Sequence, residues 1–316
     1  FQGRINVESN LSNSLKIGVS TAISATLNNS LNAQRAYYDA VIKAPNIPVF
    51  DSVGLYAWRA VVSPTNIING SAPLRDLNPV GIINTGKNYV NDLRSISNVF
   101  AELKFSSWLT YRLDFGVDWY NTKAYSREID KQGTLRGSAT ESNINNFKTV
   151  INNLLNFNKR FGDHSFSGVV GQSFEKSKES ATTITATNFM DDRVLSIISA
   201  SNRSITNALT QEWTLVSFLA RLDYGYKDKY LVGITNRVDG SSRFSTNNRY
   251  VSFPSISAGW VLSKEKFMKN IQWMNELKVR GSWGLTGTDG GAGYYGSLGQ
   301  YSFTTTGTTY AGTTII

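Results

Sequence analysis

Cysteine is absent from the 316 residues, which removes disulfides, thiolate chemistry and cysteine-based zinc sites and leaves the redox compartment open. There is one histidine, His164, so neither a nucleophilic triad nor a histidine metal cluster is expected, and its place in a short turn reads as a solvated side chain. No stretch of about 18 apolar residues occurs, so no membrane-spanning helix is available and any crossing must use strands. Only 17% of residues are charged and six are proline. The net charge of +9 is scattered, with no basic run, which argues against nucleic acid as a partner. The chain opens at Phe1 without a charged or apolar leader, so it is expected to be a fragment or a processed form.

What is present is polar without being charged. Hydrophobic residues make up 41% and aromatics 12%, the balance of β-structure with wet surfaces and aromatic belts, because Tyr and Trp favour sites with one apolar and one wet side. The primary signal has period two. Leu15, Ile17, Val19, Ile23 and Leu27 share one parity, and Lys16, Gly18, Ser20, Ala22, Ser24 and Thr26 hold the other. From Leu109 to Trp119 the apolar set Leu109, Tyr111, Leu113, Phe115, Val117 and Trp119 alternates with Thr110, Arg112, Asp114, Gly116 and Asp118. Arg and Asp on one face do not suit a dry core, and each run exceeds the five or six residues, roughly, of a soluble strand. A tilted strand crossing a bilayer needs about 9 to 11.

Less regular runs cover 145–158, 165–175, 211–226, 230–238, 251–262 and 276–285; with 4–10 and 99–105 they predict about ten strands. Their connections alternate in length. Residues 11–14, 106–108, 159–164 and 227–229 are short turns, whereas 28–98, 121–144, 176–210 and 239–250 are long, polar loops, the signature of an outer-membrane barrel with its long loops extracellular. One connection on the short side departs: a short helix is expected from Ser263 to Trp273, with Glu265 in its first turn.

Three blocks carry a family resemblance. Residues 236–267 contain RVDGSSRF followed by FPSISAGWVLSKEKF, residues 277–287 read LKVRGSWGLTG, and residues 217–231 read SFLARLDYGYKDKYL; 46–58 and 78–80 match more weakly. Together they resemble the SusC-like (RagA-like) branch of the TonB-dependent nutrient importers. The resemblance implies an all-β, transmembrane, antiparallel up-and-down barrel in the cell outer membrane. Residues 1–316 would be a partial wall of about ten strands, with the plug and N-terminal domain outside this chain. It further implies energised import of a nutrient oligomer, glycan or peptide, powered by the TonB system and shared with a SusD-like surface lipoprotein. No covalent chemistry and no cofactor are expected. A passive porin or adhesin barrel is the alternative, and a barrel hydrolase a third reading that the single histidine disfavours.

Several motifs invite chemistry. Gly291 to Gly296 reads G-x-G-x-x-G but no helix follows, and 297–306 looks extended; Gly81 to Asn88 lacks the Ser or Thr of a P-loop, and no buried strand precedes it. Asp114, Asp118 and Asp223 alternate with apolar residues and read as charges on a barrel interior rather than as catalytic acids. Asp191 and Asp192 read as a solvated pair rather than a calcium site. In the family block Arg237, Asp239, Gly240, Ser241, Ser242, Arg243 and Phe244 are expected to form an ion-pair and turn network, with Gly240 supplying an unusual backbone angle. Substrate contact is assigned instead to Tyr56 and Trp58 in the longest loop, aromatics that stack on sugars and pack on peptides, although anchoring of that loop accounts for the same residues.

Overall fold

The computed structural model describes residues 1–29, 33–42, 48–50, 52, 54, 56, 78–128, 137–189, 194, 196–268, 273–298, 308–310 and 313–315. Ten strands form one antiparallel sheet in chain order: β1 (Gln2–Asn10), β2 (Leu15–Asn28), β3 (Lys87–Ser106), β4 (Leu109–Glu128), β5 (Ser138–Phe161), β6 (His164–Phe189), β7 (Ala200–Tyr226), β8 (Tyr230–Ser241), β9 (Tyr250–Val261) and β10 (Lys278–Gly284). Each predicted strand is present, and each pairs only with its neighbours in sequence. A separate small hairpin joins β11 (Thr308–Tyr310) and β12 (Thr313–Ile315). Two helices, α1 (Ala33–Ile42) and α2 (Pro79–Thr85), lie in the longest connection. No described helix is long and apolar enough to cross a membrane, which leaves strands unaddressed.

The register aligns chemistry across the sheet. One row runs Val7, Val19, Val99, Phe115, Ile151, Phe174 and Val216 over seven consecutive strands. Many of these side chains are solvent-exposed in the isolated wall, Phe115 at 44% and Val99 at 47%. The neighbouring row, one residue along each strand, runs Glu8, Gly18, Phe100, Asp114, Asn152, Ser173, Ser217 and Asp239. Because successive side chains point to opposite faces, the first row lies on an apolar face and the second on a polar one. At the short-turn end the apolar face finishes in Tyr226, Tyr230 and Trp260, stacked at 6.4 Å spacings, as an aromatic girdle would.

Strand length corrects the sequence reading. Residues 87–98, 121–128, 138–144, 176–189, 200–210 and 239–241, all expected as loop, are strand. β5, β6 and β7 reach 24, 26 and 27 residues, more than twice what a bilayer needs. Beyond the apolar band both faces are polar, so alternation vanishes while the ladder continues through Thr, Ser, Ile and Asn. Most of the buried apolar residues gather at these extended ends, where Tyr125, Ala139, Ala186, Phe189 and Ala200 pack with Tyr89 and Ile197. Fully buried Arg127 lies 3.4 Å over the Phe189 ring.

At the opposite end the turns interlock. Lys227 and Asp228 both take left-handed backbone angles, φ 54° and 50°. Asp228 is held by Arg160 at the β5 end, and Lys227 faces Asp163 at 3.6 Å. Hydrogen bonding to Arg160 lowers the Asp228 pKa. The expected helix after Ser263 is two short 3₁₀ turns among the described residues, Leu262–Lys264 and Lys266–Met268, with Glu265 extended between them. The Glu265 carboxylate points back to the sheet and accepts from Lys229 Nζ (3.0 Å), Tyr230 Oη (2.8 Å) and Trp260 Nε1 (3.3 Å). Those bonds, Lys229 foremost, hold its pKa below the usual carboxylate value. His164 is likewise no loose turn residue: it opens β6, its Nδ1 lies 2.8 Å from the Tyr224 hydroxyl, and its ring lies against Tyr224 and Tyr226.

Candidate functional site

The polar face is built from pairs two residues apart on one strand, where period two puts both side chains on the same side. Arg112 grips Asp114 through Nε and Nη2, each at 2.9 Å. Arg221 does the same to Asp223 (2.7 and 2.9 Å), and Arg237 uses Nε on both oxygens of Asp239 (2.7 and 2.9 Å). Across strands Arg94 holds Asp118, Lys148 meets Glu175, and Glu179 accepts from Tyr120 and Asn146 at 3.0 and 3.2 Å. Asp114, Asp118 and Asp223 thus sit together on the polar face, each engaged by a guanidinium. Such charge-assisted forks fix a charged wall without collapse, which suits a wet passage. Arg112 also stacks at 4.0 Å over Phe100, whose ring occupies the space a side chain at Gly18 would fill.

The family block sits where β8 ends. Arg237 donates from Nη2 to Ser217 Oγ at 3.0 Å, tying β8 to β7. Ser241 donates to Asp289 Oδ2 at 3.0 Å, and Arg243 donates to the Asp289 carbonyl at 3.3 Å. The Arg243 guanidinium is sandwiched between Trp213 and Tyr294, 4.9 Å from each centroid. Ser242 and Tyr295 cap the edge of β7 just beyond the reach of β8. The Ser242 N–H donates to the Thr214 carbonyl, its Oγ accepts from the Thr214 N–H (both 2.9 Å), and the Tyr295 hydroxyl accepts from the Glu212 N–H at 3.3 Å. An uncovered edge is a template for pairing; here hydroxyls satisfy it. An ion-pair and turn network is present at the end of β8.

The angle assigned to Gly240 is not, because the glycines with positive φ among the described residues are Gly54, Gly137 and Gly162. Gly240 is needed for space instead: the Tyr250 ring lies where its Cβ would be.

Tyr56 pairs with Phe50 in an isolated bridge, its ring 5.1 Å from that of Phe50, and its hydroxyl accepts from Asn84 of α2 at 3.1 Å. That is the anchoring arrangement. Trp58, Asp191 and Asp192 lie outside the described residues. Asn78, fully buried, caps α2 by accepting from the Gly81 N–H at 3.1 Å and donates to the Val49 carbonyl. Gly81 is thereby inside a capped helix and Asn88 inside β3, so no phosphate cradle forms there. In the second glycine motif 294–298 are turns rather than extended chain. Sequence reasoning missed Trp213, Asp289 and Tyr294 as partners of Ser241 and Arg243; contacts 30 to 51 residues apart leave no local signal.

No family model matches the sequence. TonB-dependent receptor P39 of Formosa agariphila is 32% identical over 211 residues, 63% of this chain and 20% of that protein. TonB-dependent receptor P26 of the same organism is 28% identical over 296 residues, 90% of this chain and 28% of its own length. TonB-dependent receptor SusC of Bacteroides thetaiotaomicron is 47% identical over 74 residues, 23% of this chain and 7% of SusC. The chain is similar to the SusC-like TonB-dependent receptors. It spans less than a third of the length of each of these relatives. The RagAB peptide transporter structure superposes with a TM-score of 0.72 at 20% identity, over 90% of this chain and 32% of that one, and so shares the fold of this SusC-like wall.

Proposed function

We propose that these residues form part of the wall of an outer-membrane importer that takes up a nutrient oligomer, glycan or peptide, with energy delivered through TonB. The observation that carries this reading is the two-faced sheet itself: an apolar row crossing seven strands opposite a row of paired charges, in a chain related to receptors named as TonB-dependent. The apolar face meets lipid, the charged face lines the lumen, and the long connections face outward. A plug supplied elsewhere in the longer protein would block the lumen until it is displaced. A SusD-like surface lipoprotein is the proposed partner at the long-loop rim, and Tyr56 and Trp58 are the proposed substrate contacts. RagAB, which shares the fold, has been solved as a peptide importer in open-open and closed-closed states; this supports a lidded mechanism and keeps peptide beside glycan as cargo.

The test is to purify the full-length protein from outer membranes in mild detergent and ask by mass spectrometry which lipoprotein accompanies it. The expected result is a surface lipoprotein at near one-to-one stoichiometry, together with oligomer uptake that stops when TonB is deleted. Uptake that continues without TonB would overturn energised import in favour of a passive porin.

A further inference from the structure

β8 ends at Ser241, paired with Leu215, while β7 continues upward to Ala200. The space beside β7 is bridged by residues 242–249 and by 294–298, which border a half-open cavity of about 520 Å³ at the long-loop end. Four rings border it, Trp213, Phe244, Tyr294 and Tyr295, among short polar side chains such as Thr246 and Asn247. Arg249 also lines it, and its Nε is buried without an acceptor among the described residues; so is the Nε of Arg243, held between Trp213 and Tyr294. A guanidinium at the wall of a polar cavity offers charge-assisted donors to an entering anion, and the one carboxylate in the lining, Glu212, is already held by Lys176 at 3.3 Å.

We propose that this cavity is a rim subsite for an acidic oligosaccharide, in which a carboxylate or sulfate oxygen accepts from Arg249 and a sugar ring stacks on the tyrosines. The inference rests on the import reading and adds a location and a charge requirement to it. Rings and hydroxyl-bearing side chains together match a hydroxylated ring with an apolar face. A peptide bound as an added strand is disfavoured, since it would need the free N–H groups of the β7 edge. Those of Glu212 and Thr214 are already taken by Tyr295 and Ser242.

The experiment is calorimetric titration of the full-length receptor in detergent. The probes are uronate and sulfated oligosaccharides, their carboxyl-reduced or desulfated counterparts, and tetraglutamate. At least one acidic sugar is expected to bind, its neutral counterpart to bind roughly tenfold more weakly or worse, and Arg249→Gln to erase the difference. Tyr294→Ala is expected to weaken both sugars. Heat-modifiable migration of each variant on gels shows that the barrel has folded. Equal binding of acidic and neutral sugars, tighter binding of tetraglutamate, an unchanged Arg249→Gln, or no binding in the whole set would each overturn the subsite. TonB-dependent uptake that survives Arg249→Gln unchanged would remove the subsite and leave the import reading intact.

Discussion

Glu265 gathers Lys229, Tyr230 and Trp260 onto one carboxylate at the short-turn end, and its lowered pKa makes the contribution pH-dependent. A carboxylate stabilised in its charged form adds stability above its unfolded pKa and loses it as pH falls through the lowered folded value. Wild type is therefore expected to melt above Glu265→Gln at pH 7, with the gap closing below about pH 4.5, the ordinary Glu value. A gap that stays constant with pH would show that packing, not charge, is what the residue supplies. Glycine substitutions separate two kinds of close approach. A Cβ at Gly168 would overlap the Arg221 carbonyl oxygen, part of the β7 backbone, whereas at Gly18 it would meet only the Phe100 ring. Gly168→Ala is expected to cost about 1–3 kcal/mol through overpacking, and Gly18→Ala less, because a ring can turn and a strand cannot. Urea titration of each variant in lipid vesicles measures both.

The two faces of the sheet, sampled on β4 and β2, are expected to tolerate charge very differently. Phe115→Arg puts a cation on the apolar face and is expected to cost about 2–4 kcal/mol if that position sits near the bilayer midplane. Ser20→Arg on the polar face of β2 is expected to cost little; equal costs would show that both faces meet water. The strands were legible in sequence where this asymmetry exists. Leu109 to Trp119 alternates because one face of the sheet is apolar and the other polar, and β4 is found where the pattern says. Residues 176–189 and 200–210 were not legible, because strands that rise past the membrane need no apolar face and their Thr, Ser and Asn content resembles loop. Among the described residues, the helix expected after Ser263 is replaced by 3₁₀ turns for a related reason: the spacing of Phe267 and Ile271 is helical in the sequence, but Glu265 is drawn to Lys229 instead of a helix N-terminus. The ion-pair network of the family block was readable from Arg237, Asp239 and Arg243. Its partner Asp289 was not, since the fold alone brings it near.

At the scale of the molecule, these ten strands make a stretch of sheet with one apolar and one polar face, with turns clamped at one end and strands prolonged at the other. The proposed import rests on the apolar face meeting lipid and the polar face a lumen. The chain has no cysteine, so in a full-length receptor with any cysteine elsewhere changed to serine, single cysteines can be placed at Val19, Phe115 and Phe218 on the apolar face and at Ser20, Ser173 and Ser217 on the polar face. Nitroxide labels then report which solvent each meets in lipid vesicles. The decisive measurement is collisional access of these labels to oxygen, which concentrates in hydrocarbon, against a water-soluble nickel chelate. Val19, Phe115 and Phe218 are expected to be open to oxygen and closed to nickel, with the ratio falling at each polar-face position. Free access of the nickel chelate to the apolar-face labels would contradict a membrane wall.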